Sequence, residues 1–377
     1  MLNDIWLFIL AVVFVAINGI TQLSYAASLG YALKPTSFAY FVGAIGNLLT
    51  GSVTPIAGQA ETLTLAGLIK KMGERVSALL IAAIIGIIMG ITGSVSIIAN
   101  FAGPSVVSGM MSGVGLILSM VAIEMFSQEK RTGSISIASA IVIWALTHDV
   151  VYTVAGSVLI STIDFALVQK RRVDLRLVAE SNGQTTENLQ SDDWKFWTKG
   201  YWQEFKLIKP IFNTAAILGA LSFICLNIGS NTAFGNITAS IAGTTQNLDH
   251  LTIINSFADL PSILFGGAPI EAIISGTAGA PWPVAAGIVM MLLTGVLLLT
   301  GVVGKMSKYV PAQSIAGFLL VIGFVLTFVP NLNGAMATDS PVQGIVALGV
   351  TAITKNPFLG MVFGVLARYL GALVGIA

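Results

Sequence analysis

Charge is what this sequence has least of. Only 9% of its 377 residues are charged, against 55% hydrophobic, and the mean hydropathy is +0.89. That balance lies far outside the range of soluble domains, so the chain is read as an all-α polytopic membrane protein of the cell (plasma or inner) membrane, with the lipid bilayer as its first partner. Cysteine is nearly absent too. The single one, Cys225, excludes an intrachain disulfide, and within "ILGALSFICLNIG" it reads as a small buried hydrophobe. No CxxC, HExxH or P-loop pattern occurs, which argues against a metalloenzyme or an ATPase; no catalytic residue, metal or cofactor is expected. A net charge of +1 gives no reason to expect a nucleic-acid partner. The N-terminus lacks the basic flank and cleavage site of a signal peptide, so it reads as a first span.

The few charges are unevenly placed. Fourteen of 35 fall between Lys170 and Lys209, and 21 are spread over the other 337 positions. This polar stretch, 170–209, divides the chain into segments 1–169 and 210–377, of 169 and 168 residues, as a duplication joined by a linker would. A spanning helix needs about 20 mainly apolar residues. Candidate spans lie near 5–30, 36–52, 53–69, 76–94, 104–126, 133–148 and 150–169. In the second half they lie near 210–230, 231–243, 252–266, 268–280, 283–304, 311–330 and 341–354 with 356–376, giving twelve to fourteen in all.

Particular residues support the duplication. "LLTGSVTPIAGQAETLTLAG" in the first half matches "ILFGGAPIEAIISGTAGA" in the second: glycine shortly before proline, then small residues and a glutamate. "GITGSVSIIANFAGPSVVSGMMSGVGLIL" matches "LLTGVVGKMSKYVPAQSIAGFLLVIGFVL". Pro55 and Pro269 are 214 residues apart, Pro104 and Pro311 207. With an odd number of spans in each half the second enters the membrane inverted, and paired Gly/Pro-interrupted segments in corresponding positions point to a transporter's binding site.

Proline lacks an N–H and usually marks a helix start, so Pro55 and Pro269 are expected to open short helices whose free N–H groups point into the protein. Glu61 and Glu271 lie within two turns of these starts. An ionised carboxylate facing lipid costs at least ~2.5 kcal/mol, so each is expected to face the interior, paired or protonated, where it can load and release a proton and couple transport to it. Gln59, Asn231, Asn236 and Ser230 are further polar candidates, with packing as the alternative role; Phe234 and Tyr25 could stack on a planar ring. His148-Asp149 reads as an interfacial turn, and Glu124, Asp164 and Arg368 as span-end charges. The spacings Gly86-Gly90, Gly360-Gly364 and Gly371-Gly375 permit close helix packing, within or between subunits. Basic residues Lys70, Lys71, Arg75, Lys130, Arg131, Lys170–Arg172, Lys305 and Lys308 fall on odd-numbered loops, which the positive-inside rule makes cytoplasmic.

"SFADLPSILFGGAPIEAIISGTAGA" with "GKMSKYVPAQSIAGFLLVIGFVL" resembles the tenth to twelfth spans of the nucleobase-cation symporter 2 family, the xanthine, uracil and guanine/hypoxanthine permeases. "NTAFGNITASIAG" is similar to that family's eighth span and "NGITQLSYAASLGYAL" to its first; sulfate-permease-like anion transporters share the fold and much of the pattern. The resemblance implies about fourteen segments in a seven-plus-seven inverted repeat with two half helices, a mobile core moving as an elevator, and a gate domain that often forms a homodimer. It implies a secondary transporter of a nucleobase coupled to H⁺ or Na⁺, or alternatively an anion transporter. Substrate would then meet Gln22, Tyr25, Gln59, Glu61, Asn231, Phe234, Pro269, Glu271 and Ser275, with Glu61 and Glu271 coupling the ion. The family's carboxylate six positions after the tenth-segment proline falls on Ser275 here, with Glu271 one helical turn earlier, while Glu61 holds the equivalent position in the first half.

Overall fold

The computed structural model describes residues 2–148, 152–153, 156–168, 205–307, 312–337 and 341–374. The first half runs α1 (Leu2–Ser28), α2 (Leu33–Thr50), β1 (Ile56–Ala57) leading into α3 (Ala60–Leu68), α4 (Met72–Ile91), the short α5 (Ser94–Ala102), α6 (Pro104–Gln128), α7 (Lys130–Thr147) and α8 (Gly156–Val168). The second half repeats that order. α9 (Thr214–Ile241) and α10 (Leu248–Leu264) precede β2 (Glu271–Ala272), which leads into a 3-10 turn (Gly276–Gly279). Then come α11 (Pro283–Leu299), the short α12 (Val302–Ser307), α13 (Gln313–Met336), α14 (Val342–Thr354) and α15 (Pro357–Val374). Counting each strand with its following turn as one, and leaving out α5 and α12, these are fourteen membrane segments in a seven-plus-seven inverted repeat.

The helices gather in two bundles. α1, α2, α4, α9, α10 and α11 pack on one another around the two strands, and α6, α7, α13, α14 and α15 form a second group. Glycine lets backbones meet in the second: a methyl group at Gly109 would overlap the backbone of Gly344, and one at Gly317 the backbone of Ser136. Gly86 and Gly90 fit α4 against Ser256 and Ile253 of α10, and Gly360 and Gly364 fit α15 against Thr351 and Ala347 of α14, so both spacings serve contacts within the chain. Gly375 lies outside the described residues.

Two expectations need correction. The spans drawn at 210–230 and 231–243 are one helix, α9. Its fifth turn widens to a π-helix at Asn231–Gly235, and that extra residue lets a Gly- and Asn-rich stretch continue without a break. Next, neither Pro55 nor Pro269 opens a helix. Each precedes a two-residue strand, and the backbone groups are met by the opposite strand: Ile56 pairs with Ala272 and Ala57 with Glu271, antiparallel. The first-half helix begins later, at Ala60 after Gln59, and the second-half turn at Gly276 after Ser275. Arg368, exposed in the last turns of α15, donates from Nη1 to the Phe101 carbonyl at 2.9 Å, at the end of α5. Asp164 is similarly engaged, accepting two hydrogen bonds from Arg131 at 2.8 and 3.0 Å. Cys225 is buried, as a small hydrophobe would be. Pro311, Asp149 and nearly all of the 170–209 stretch lie outside the described residues.

Candidate functional site

The centre of the first bundle is the place where the two broken segments cross. Gly266 adopts φ 73°, the left-handed region glycine tolerates, and Gly267 packs so closely on Ser262 and the Thr36 backbone that a side chain would overlap both. Ser262 Oγ donates to the Ala268 carbonyl at 2.9 Å and the Ala268 N–H to Thr36 Oγ1 at 2.9 Å, which fixes the approach to β2. On the other side the Asn47 amide holds the Thr54 carbonyl at 2.8 Å ahead of β1. Ala57 and Glu271, the paired residues, are 214 apart in sequence, the same separation as Pro55 and Pro269. The pseudo-twofold axis of the repeat therefore passes between them.

Glu271 thus lies on a strand and not one helical turn before Ser275. Its Oε2 accepts from Asn227 at 2.7 Å and from Asn255 at 2.8 Å. Asn231, wholly buried, donates to Asn227 Oδ1 at 2.6 Å and Thr252 Oγ1 at 2.8 Å, and accepts from Asn255 at 3.0 Å. On the next turn of α10, Asp259 accepts the N–H of Ile270 at 2.9 Å, one residue before Glu271. Asp259, Glu271, Asn227, Thr252 and Ser256 line a chamber of about 20 Å³ whose remaining wall is apolar, from Leu79, Ala83 and Phe223 among others.

Gln59 is a staple across the crossing: its amide donates to the Ala272 carbonyl at 2.8 Å and its oxygen accepts from Thr62 at 2.7 Å. Glu61 stands in the first turn of α3, only 3% exposed, and accepts from Thr327 of α13 at 3.1 Å, a bond from the first bundle to the second. Thr327 belongs to a π-helical stretch, Val321–Phe328. α1 runs past both broken segments: Gln22 lies beside Gly58, Val15 beside Gly276, and the Tyr25 hydroxyl is 3.0 Å from Thr64 Oγ1. Gln22 is buried with an unpartnered oxygen. Ser275 caps the 3-10 turn, its hydroxyl 2.7 Å from that of Thr277. Phe234 sits in the hydrophobic cluster around α6, Pro269 in the wholly buried approach to β2, and Ser230 donates to the Asn227 carbonyl at 3.2 Å.

The structure therefore brings Glu271 and Asn231 into one hydrogen-bond network at the crossing, with Gln59 bonded beside it to the Ala272 carbonyl. Gln22, Tyr25 and Ser275 lie along the first-half helix and the second-half turn, and Glu61 faces the second bundle. Asn227, Asn255, Asp259 and Thr327 were not singled out from the sequence. Asn227 with Asn231, and Asn255 with Asp259, are polar pairs four apart in apolar helices, a spacing that places each pair on one face; Thr327 carries no such signal.

No family model matches the chain and no curated protein does. Solved structures do, as folds, among them these two. The transmembrane domain of BicA, a bicarbonate transporter of a cyanobacterium, aligns over 96% of this chain and 98% of its own with a TM-score of 0.61 at 14% identity. The overall structure of SLC26A9 aligns over 100% of this chain with a TM-score of 0.65, also at 14% identity; the chain spans 66% of that protein. The chain has the fold of these fourteen-helix membrane proteins.

Proposed function

We propose that this protein is a secondary active transporter of a small polar anion, coupled to a cation, in which the first bundle moves against the second. The observation that carries the reading is the crossing of β1 and β2 with a helix start at Ala60 and a 3-10 turn at Gly276. N–H groups at such starts, buried within protein, favour negative charge. The placement of Glu271 removes one objection to an anion, because its carboxylate is engaged by Asn227 and Asn255 and lines the chamber between α4, α9 and α10. The likeness in fold to a bicarbonate transporter supports the same substrate class. In this reading Gln22, Tyr25 and Ser275 border the substrate, while Gln59 and Asn231 hold the crossing in shape.

Glu61 favours a second reading. A carboxylate in the first turn of α3 competes with an anion there, yet would accept N–H groups from a neutral heterocycle, as a nucleobase permease requires. Uptake into proteoliposomes separates the two. The anion reading expects saturable uptake of labelled bicarbonate or sulfate that is retained or raised in Glu61→Gln; uptake of uracil or xanthine that is lost in the same variant would establish the other.

A further inference from the structure

The chain that leads into α9 is fastened to the first bundle in a way that neither the crossing nor the anion site requires. Residues 205–213 run without regular structure and turn every third side chain inward. The Phe205 ring lies 5.5 Å from that of Phe38 on α2 and 6.4 Å from that of Phe265. The Ile208 N–H donates to the Leu264 carbonyl at 3.1 Å while its side chain packs on Gly266. The Ile211 N–H donates to the Gly73 carbonyl at 3.0 Å while its side chain packs on Gly73. Asn213 ends the strap, capping α9 and donating to Glu74 Oε1 at 3.0 Å. The strap thus joins the end of α10 to the start of α4, and its middle rests on the left-handed turn that leads into β2.

Its outward edge mixes two chemistries. Leu207 is 67% and Phe212 69% exposed, and the exposed Lys206 and Lys209 are interleaved with them. Lys70 and Lys71, just before α4, extend the patch: the Lys209 carbonyl lies against Gly73, and Lys71 and Asn213 share Glu74 Oε1. Among the described residues Lys70, Lys206 and Lys209 have no ion-pair partner, and the buried Glu74 is the one carboxylate paired with Lys71. α4 and α9 are both long and apolar enough to cross a bilayer, and the strap lies at their first residues, which places the patch at headgroup depth. The positive-inside bias accounts for the lysines but not for large apolar side chains set between them. Together they fit an anionic phospholipid, its phosphate against the ammonium groups and its acyl chains against Leu207 and Phe212. Free phosphate would leave the apolar pair in water.

We propose that residues 206–212, with Lys70 and Lys71, are a docking site for anionic phospholipid of the surrounding leaflet. Lipid held on the outer edge presses the inner edge, Phe205, Ile208 and Ile211, onto the bundle, and so steadies the turn at Gly266 and Gly267 that carries the chain into β2. The proposal needs only that the chain spans a bilayer, so it stands or falls apart from the transporter reading.

The test uses the purified full chain in a neutral detergent, titrated with phosphatidylglycerol, with phosphatidylcholine or with soluble glycerol 1-phosphate. Thermal stability and the lipids retained in native mass spectrometry are read. Saturable stabilisation by phosphatidylglycerol alone is expected. The double variant Lys206→Gln, Lys209→Gln should need at least about tenfold more of it, since each lysine near an anionic lipid is worth roughly fivefold. Leu207→Ser with Phe212→Ser should show a similar loss; should either pair fail to give monodisperse protein, the other decides. Lys130→Gln, an exposed lysine at the start of α7, should bind as the parent does. Hydrogen exchange at the amides of residues 264–270 should slow with phosphatidylglycerol in the parent and not in the lysine variant. Equal responses to the two lipids, unchanged affinity in the strap variants, or an equal loss in Lys130→Gln would each overturn the site. Stabilisation by glycerol 1-phosphate to the same extent would overturn the lipid in favour of a free phosphate, and exchange unaffected by lipid would overturn the effect on the turn.

Discussion

Breaking the bond between Glu61 and Thr327 tests whether the two bundles meet at the first turn of α3. Thr327→Val removes the hydroxyl while preserving the shape of the side chain, and leaves a 3%-exposed carboxyl without its donor at 3.1 Å. A hydrogen bond to a charged group contributes about 1.5–3 kcal/mol, and one between neutral groups about 0.5–1.5 kcal/mol. The size of the effect therefore reports the state of Glu61: roughly 10- to 150-fold in an equilibrium constant if it is ionised, roughly 2- to 10-fold if it is protonated. A double-mutant cycle with Glu61→Gln isolates the pair. Glu61→Gln keeps the accepting oxygen but removes the charge, so the cost of Thr327→Val should shrink in that background if Glu61 is ionised and stay the same if it is protonated. Reversible unfolding in mixed detergent micelles gives the stabilities. Because the bond joins the two bundles, Thr327→Val should also change the rate of uptake. A Thr327→Val protein indistinguishable from the parent in both stability and uptake would refute the reasoning.

Other consequences follow from single contacts. Gly109→Ala should cost about 1–3 kcal/mol or more, since the new methyl meets the Gly344 backbone, whereas Gly349→Ala, with open space around it, should change melting temperature little. Arg75 donates to the Ile69 and Leu29 carbonyls at the ends of α3 and α1, a fork that lysine cannot reproduce; Arg75→Lys should lower thermal stability and slow uptake together, and unchanged behaviour would contradict that role. Asp249→Ala removes the acceptor held by the Val95 N–H and Ser96 hydroxyl at the start of α5; the expected loss is about 0.5–2 kcal/mol, read by denaturant unfolding.

Much of the fold could be read from residues alone because lipid imposes length and polarity on each span. The doubled Gly/Pro interruptions located the crossing, and the 214-residue separation of Pro55 and Pro269 recurs in the paired Ala57 and Glu271. What could not be read was the local form. A proline in an apolar run is compatible with a helix start or with a strand, and only the presence of an opposite strand, 214 residues away, decides it. That choice moved Glu271 from a helix face to the α10 side of the crossing. Residues 231–243 read as a separate span because a π-turn has no fixed sequence mark. Asp259, in "SFADLPS", was passed over because its partner is the Ile270 backbone, and backbone partners across a fold leave no trace in side-chain spacing.

The crossing itself is open to a direct measurement. In a Cys225→Ala background, Ile56→Cys and Ala272→Cys are introduced together, at positions directly opposed in the antiparallel pair, where the backbones approach within the reach of a disulfide. Treatment with a membrane-permeant oxidant should join residues 56 and 272 within one chain, with the bond mapped by peptide mass spectrometry, and should arrest uptake until reduced. Absence of the bond under conditions that oxidise a control pair between α2 and α11 would contradict the account.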